Sequence, residues 1–160
     1  MSAMIVVLMG VSGAGKTTIG ELLGKRLGWP LIEGDEYHPA ANISKMAAGI
    51  PLTDEDRWPW LDTLNQRIRE ERNAVVTCSA LKESYRRRLL AGIDDARIVY
   101  LHAPKAVIAA RVAARKHRYM PASLLESQFA TLEPPKPAIE IDVSGGPEDC
   151  VEAIVAALGR

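Results

Sequence analysis

The sequence predicts an α/β fold in which helices flank both sides of a five-stranded parallel sheet. Short apolar runs alternate along the chain with longer segments whose apolar residues recur at helical spacing. This alternation is typical of parallel strands joined by helices, with ligands bound at the carboxyl ends of the strands. The chain has 160 residues, 48% of them apolar, and contains no repeat or linker. We therefore expect a single domain over residues 1–160.

Five apolar runs predict the strands, near 4–9, 30–33, 74–79, 97–102 and 138–143. Helical patterns fall between and after them, at 16–27, within 39–73, and at 82–91, 104–116, 121–133 and 147–158. A cluster of three prolines between 134 and 137 separates the helix before it from the last strand, because proline interrupts a helix. The apolar residues of the final segment predict a helix packed back on the sheet.

A phosphate-binding loop follows the first strand. Residues 10–17 read G-V-S-G-A-G-K-T, which matches G-x-x-x-x-G-K-[ST] between a strand and a helix. Its glycines let consecutive backbone N–H groups and the N-terminus of the helix face one anion. Lys16 reaches the β- and γ-phosphates, and the Thr17 hydroxyl can bind Mg²⁺. We expect a P-loop NTPase fold that binds ATP and Mg²⁺ through Gly10, Val11, Ser12, Gly13, Ala14, Gly15, Lys16 and Thr17.

The second strand ends on a carboxylate. Residues 31–35 read L-I-E-G-D, which places Asp35 in the crevice beside the phosphate loop. A carboxylate there can accept the proton of an attacking hydroxyl, orient that hydroxyl or hold a water on Mg²⁺. The structural alternative is an N-cap for the helix that begins near Pro39. We expect Asp35 to act on the phosphoryl acceptor, while His38 either joins it or is a loop residue.

Polar and basic residues follow the third strand. The acidic pair of a Walker B site is missing there, which favours a small-molecule kinase over a motor-type or clamp-type ATPase. Lys82 and Arg86 are four residues apart, so they share a helical face and can hold an acidic group of a substrate. A solvated basic face is the alternative.

A second basic region begins on a later helix, where Arg111 and Arg115 share one face. The adjoining Lys116, His117 and Arg118 join two helical patterns. A mobile basic segment that closes over ATP neutralises developing charge and excludes water. We therefore expect a lid near 116–121, with a solvated basic helix end as the alternative.

The amino-acid composition limits the classes of partner that we expect the chain to bind. Twenty basic and twenty acidic side chains cancel, so no overall positive field attracts nucleic acid or an anionic membrane. No apolar run is long enough to span a membrane, and the N-terminus lacks the features of a signal peptide, so we expect a cytoplasmic protein. Cys78 and Cys150 lack metal-type spacing and are assigned no role.

Short motifs along nearly the whole chain carry a specific resemblance. They include M-G-V-S-G at 9–13, G-D at 34–35, H-P at 38–39, D-E-D-R at 54–57, C-S-A-L-K at 78–82, Q-F at 128–129 and T-L-E-P at 131–134. With these motifs the chain resembles the gluconate kinase (gluconokinase) family, small P-loop kinases related in fold to adenylate and shikimate kinases. The resemblance implies a homodimer that uses ATP to phosphorylate D-gluconate at its terminal hydroxyl, giving 6-phospho-D-gluconate and ADP.

The resemblance also assigns roles to residues. It implies that Arg111 stacks on adenine and that Arg115 reaches the β- and γ-phosphates. The lid departs from the family pattern, because Arg118 and Tyr119 stand where a histidine and an aromatic residue are usual. The mixed polar segment at 35–60 suits a polyhydroxylated acid better than a flat nucleobase. The expected substrate-binding residues are Asp35, His38, Asn42, Lys45, Asp56, Arg57, Ser79, Lys82 and Arg86.

Other functions remain open at this point. The nearest alternative is a related kinase that acts on another sugar acid, shikimate or a nucleoside monophosphate. No Gly-Gly-Gly follows the third strand, which disfavours shikimate as the substrate. A GTPase switch is disfavoured because the D-x-x-G at 142–145 lies too late and no N-K-x-D follows it. Zero net charge disfavours a kinase that acts on RNA.

Overall fold

The computed structural model describes residues 3–114 and 122–160, and in this part of the chain it confirms the expected sheet. All strand pairs are parallel, in the order β2-β3-β1-β4-β5. The observed bounds lie within about two residues of the expected ones, the usual uncertainty at strand ends. The strands are β1 (Ile5–Met9), β2 (Leu31–Glu33), β3 (Ala74–Thr77), β4 (Ala96–His102) and β5 (Ile139–Asp142).

The helices also follow the expected alternation, and a 3₁₀ turn at Gly34–Tyr37 comes directly after β2. They are α1 (Lys16–Leu27), α2 (Ala40–Ala47), α3 (Asp54–Arg69), α4 (Glu83–Leu89), α5 (Lys105–Ala114), α6 (Ala122–Thr131) and α7 (Pro147–Leu158).

The expected helical region at 39–73 divides into α2 and α3 for a local reason. Gly49 has a φ of 75°, a left-handed conformation that suits glycine, and Pro51 follows two residues later. The Thr53 side chain then accepts the backbone N–H of Asp56, and the Asp56 carboxylate accepts that of Thr53. This reciprocal capping box starts α3.

The sheet is buried on both faces. Successive residues of the central strand β1 point to opposite sides, so Val6 and Leu8 pack with α1 and α7 while Val7 and Met9 pack with α3 and α4. Because β1 has β3 on one side and β4 on the other, the strand order reverses at β1. The crevice at the carboxyl end of β1 is therefore the expected ligand site. Within the described residues, no helix combines the length and apolarity needed to cross a membrane.

Candidate active site

The phosphate loop joins β1 to α1 at this crevice. Gly13 and Gly15 have φ values of 88° and 90°, a left-handed conformation that other residues rarely adopt. A Cβ added to Gly13 would also lie 2.8 Å from a methyl group of Val112 on α5. Lys16 Nζ donates hydrogen bonds to the carbonyls of Gly10 (2.9 Å) and Val11 (3.1 Å), which holds the ammonium inside the curve of the loop.

A carboxylate lies beside Thr17. It is on β2 and not at the end of β3, where the acid of a Walker B site would stand. Glu33, at the end of β2, accepts the hydroxyl of Thr17 through Oε2 and that of Thr77 through Oε1, both at 2.9 Å. Thr77 stands at the end of β3, where sequence reasoning noted the missing Walker B acid. Hydroxyl and carboxylate oxygens are hard ligands of the kind Mg²⁺ prefers, so the donor set fits this ion. The only sequence signal for Glu33 was its place in the L-I-E-G-D segment.

A cavity of about 470 Å³ opens on one side of the loop. This volume is in the range of small-molecule sites. Polar side chains from both the loop and the second and third strand ends converge in it, and an apolar wall from α2, α5 and α6 completes it. The polar lining residues are Ser12, Lys16, Asp35, His38, Arg57, Ser79, Ser127 and Gln128.

Asp35 and His38 stand together in this cavity. Asp35 lies in the 3₁₀ turn and its side chain is 68% exposed, whereas the His38 ring stacks on Trp60 with centroids 4.0 Å apart. The pKa of His38 is lowered to about 4, mainly by burial, with Asp35 opposing the shift and the charge of Arg57 adding to it. His38 is therefore neutral at pH 7.

The hydrogen bonds of His38 indicate its tautomer. The amide nitrogen of Asn42 lies 3.2 Å from His38 Nδ1 and can only donate. Nδ1 therefore accepts, and the ring proton lies on Nε2, which is 4.0 Å from a carboxylate oxygen of Asp35. The residue before α2 is Pro39, and among the described residues no side chain caps this helix. Asp35 thus does not act as its N-cap.

Arg57 is the cation that reaches the acceptor side of the cavity. Its Nη1 donates to the carbonyl of Leu52 (2.6 Å) and to the hydroxyl of Tyr85 (2.9 Å). Its guanidinium carbon lies 4.8 Å from the centre of the Tyr85 ring. The Tyr85 hydroxyl in turn donates to Asp54. These contacts hold the guanidinium in one orientation, which suits recognition of a carboxylate.

Arg86 is held away from the cavity. It is buried, and it donates to the carbonyls of Ala80 (2.7 Å) and Glu133 (2.9 Å). Sequence reasoning expected it on a substrate-binding face, but its donors support the backbone after β3 instead. The buried carbonyl of Ala80 needs such a partner, because leaving it unpaired is costly.

Three other residues that were expected to contact the substrate, Lys45, Asp56 and Lys82, form ion pairs within the protein. Lys45 pairs with Asp56 (2.7 Å), and this hydrogen bond, together with those from Thr53, lowers the pKa of Asp56 to about 2. Lys82 pairs with Asp54 at 3.4 Å. As far as the described residues define the cavity, its wall does not include Asn42, Lys45, Asp56, Lys82 or Arg86.

A second cavity, of about 360 Å³, lies on the other side of the phosphate loop. Arg111 lines it and donates to the carbonyl of Val143. The contact of Arg111 with the nucleotide base stays a prediction. Arg115, Lys116, His117 and Arg118, with the rest of the expected lid, lie outside the described residues. The described lining is Gly13, Ala14, Gly15, Thr18, Ile19, Arg111, Val143, Gly145, Pro147 and Cys150.

Gln128 is a site residue to which sequence reasoning gave no role. It lies on α6 and exchanges two hydrogen bonds with Ser12 of the phosphate loop. The sequence signal for Gln128 is the Q-F pair at 128–129. This pair contributes to the family resemblance, but it does not indicate what Gln128 does.

A phosphate loop next to an acceptor cavity with a carboxylate and a fixed guanidinium defines a P-loop kinase of small molecules. A family model described as an AAA domain matches residues 5–135. Gluconokinase from Gluconobacter oxydans (strain 621H) is 45% identical, over 94% of this chain and 88% of that protein. The thermosensitive gluconokinase of Escherichia coli (strain K12) is 39% identical, over 98% and 90%. The chain belongs to the gluconokinase family.

Solved structures agree with this assignment. The crystal structure of a gluconokinase from Sinorhizobium meliloti 1021 has a TM-score of 0.89 and 43% identity, covering 97% of this chain and 91% of that one. The APS kinase CysC from Mycobacterium tuberculosis has a TM-score of 0.72 at 18% identity and shares the fold alone.

Proposed function

We propose that this protein transfers the γ-phosphoryl group of ATP to the terminal hydroxyl of D-gluconate, giving 6-phospho-D-gluconate and ADP. The observation that carries the proposal is the cavity beside the phosphate loop, which holds Asp35 near the loop and Arg57 on its wall. A sugar acid offers one hydroxyl to phosphorylate and one carboxylate for a guanidinium. The gluconokinases at 39–45% identity support the same substrate.

In this proposal, Asp35 orients the attacking hydroxyl and accepts its proton. The transition state of phosphoryl transfer is loose, so proton transfer comes late and the orientation of the hydroxyl matters throughout. His38, neutral and with its proton on Nε2, faces Asp35 and can donate to that carboxylate or to a substrate oxygen. Arg57 holds the gluconate carboxylate, which places the other end of the substrate toward the phosphate loop.

On the nucleotide side, Lys16 and the backbone N–H groups of the loop bind the phosphates, and Arg111 contacts the base. Thr17 and Glu33 would hold Mg²⁺, directly or through water. When bound, this ion neutralises charge on the phosphates. Arg115 and the segment 116–121 are proposed to close over ATP and exclude water.

Three parts of the proposal rest on the family resemblance and on composition. They are a homodimeric state, a cytoplasmic location and a place in the pentose phosphate or Entner–Doudoroff routes. Light scattering on a size-exclusion column tests the first, and a mass equal to the 17.4 kDa of one chain would contradict it.

A coupled assay of ADP release tests the activity. The acceptor panel contains gluconate, other sugar acids, shikimate and nucleoside monophosphates, with Mg²⁺ present or chelated. We expect gluconate to give the highest kcat/KM, and chelation to abolish turnover. A higher kcat/KM for any other acceptor would replace gluconate as the substrate while leaving the kinase fold intact.

A further inference from the structure

Two hydrogen bonds join the phosphate loop to a helix that follows it by more than a hundred residues. The backbone N–H of Ser12 donates to Gln128 Oε1 at 2.7 Å, and Gln128 Nε2 lies 3.2 Å from Ser12 Oγ. Both side chains line the cavity that holds Asp35 and Lys16. This pair therefore joins the phosphate loop to the wall of the acceptor cavity.

The chemistry of the pair sets the direction of the Ser12 hydroxyl. A backbone N–H can only donate, so the oxygen of the Gln128 amide must face it. The NH₂ group then faces Ser12 Oγ and can only donate to it. Since Ser12 Oγ accepts this hydrogen bond, its own proton points away from Gln128 and is available to another acceptor.

The helix that carries Gln128 is itself held in place just beyond its end. The backbone N–H of Glu133 donates to the carbonyl of Leu81 (2.7 Å), and the Glu133 carboxylate accepts the backbone N–H of Glu83 (3.0 Å). Arg86 donates to the Glu133 carbonyl (2.9 Å). α6 is thus tied both to the phosphate loop and to the segment after β3. Gln128 has a rigid support, as a positioning residue requires.

We propose that Gln128 is a positioning residue that orients the Ser12 hydroxyl as a hydrogen-bond donor to the transferring phosphoryl group. No proton is transferred by Ser12. Its O–H strengthens its hydrogen bond as charge is redistributed over the phosphoryl oxygens, and it needs no reorientation at that moment because Gln128 has already set its direction. This role rests on the proposed function, since it requires a γ-phosphate beside the acceptor cavity.

Gln128→Glu is the decisive variant because it reverses the hydroxyl without removing the side chain. A carboxylate accepts the Ser12 N–H as before, but its second oxygen can only accept, so the Ser12 proton turns toward it. At about pH 8 the glutamate is ionised. We expect kcat for gluconate to fall about 10- to 100-fold in Gln128→Glu, Gln128→Ala and Ser12→Ala, the range for one hydrogen bond to a charged group.

The double variant Ser12→Ala/Gln128→Ala separates positioning from independent action. If Gln128 acts through Ser12, the kcat of the double variant equals that of Ser12→Ala. The KM of the double variant for gluconate then stays within about twofold of the wild-type value. The proposal would be overturned if the decrease in kcat of the double variant equalled the product of the decreases in the two single variants. A wild-type kcat in Gln128→Glu would also overturn it. Glu126→Gln, on the exposed face of the same helix, is the matched control and keeps the wild-type kcat.

A binding measurement keeps this proposal separate from the identity of the acceptor. Titration calorimetry without gluconate gives the Kd ratio of ADP to a non-hydrolysable ATP analogue. We expect Ser12→Ala and Gln128→Glu to lower this ratio about tenfold, because the donor to the γ-phosphate is lost. An unchanged ratio would overturn the role of Gln128. Lack of gluconate turnover by the wild-type protein, with the ratio lowered in the variants, would overturn only the proposed function.

Discussion

The phosphate loop and the acceptor cavity share Ser12 and Lys16, yet they are built in opposite ways. The loop is one contiguous segment, 10–17, whose shape comes from left-handed glycines and whose anion site is mostly backbone. The cavity is assembled from side chains that distant elements bring together, including Asp35, Arg57 and Gln128. Each of its cations depends on neighbours for its orientation. A change in the loop should therefore affect the nucleotide first, and a change in the cavity should affect gluconate first.

The largest effect is expected from Lys16→Ala in the loop. Loss of the ammonium removes its charge from the transferring phosphoryl group, so kcat should fall by roughly 10³-fold or more. The melting temperature should change little, because the ammonium lies in the site and not in the core. Lys25→Ala, on the exposed end of α1, serves as the control and keeps its activity. Turnover near wild type in Lys16→Ala contradicts the assignment of the loop.

Asp35→Asn tests the cavity at its boundary with the loop. The change keeps the shape of the side chain but removes the proton acceptor, so kcat should fall about 10²-fold while Kd for an ATP analogue is unchanged. The neighbouring Glu36→Gln lies in the same 3₁₀ turn and is exposed, which makes it the matched control. If Asp35→Asn retained full kcat, activation of the hydroxyl would have to come from other groups.

Arg57→Ala tests the far end of the cavity. Without the guanidinium, KM for gluconate should rise about 10- to 100-fold, with Kd for the nucleotide unaffected. The neutral polyol glucitol, which lacks the carboxylate, sharpens the test. The wild-type protein should prefer gluconate strongly, and the variant should lose most of that preference. The expected control is Arg87→Ala, since Arg87 is exposed. An unchanged preference in Arg57→Ala places the carboxylate elsewhere.

Arg86→Met separates a supporting arginine from a substrate-binding one. The guanidinium is buried, and its loss leaves the carbonyls of Ala80 and Glu133 without these donors. We expect a loss of about 1–3 kcal/mol in the free energy of unfolding, because the buried carbonyl of Ala80 is left unpaired. Urea denaturation measures this loss. A stable variant with a raised KM for gluconate would return Arg86 to the substrate-binding set.

The smallest effect concerns the pH dependence of stability. The pKa of His38 is about 4 in the folded protein and 6.5 when unperturbed. Between these values the unfolded state binds the extra proton, so the free energy of unfolding from this residue falls as pH drops from about 6.5 to 4. His38→Gln should reduce that slope relative to the wild-type protein in denaturation curves at several pH values. A variant that kept the wild-type slope would contradict the shift.

How much of the site could be predicted depended on how local each interaction is. The motif at 10–17 predicted the loop, since its eight residues make the site by themselves. Arg57 and Arg86 were expected alike to contact substrate. The structure differs because the buried carbonyl of Ala80 requires a donor, and Arg86 supplies it while also donating to the carbonyl of Glu133. Glu33 received no role of its own, because its link to Thr77 depends on the pairing of β2 with β3.

The amino-acid sequence alone was enough to predict the alternation of strands and helices along the chain, the phosphate loop and the family to which the chain belongs. These follow from spacing, turn residues and capping, which act between neighbours in the chain. Which charged side chains face the cavity is set by the three-dimensional fold. That choice depends on which backbone groups folding leaves without partners, and those groups lie far apart in sequence, as do Ser12 and Gln128.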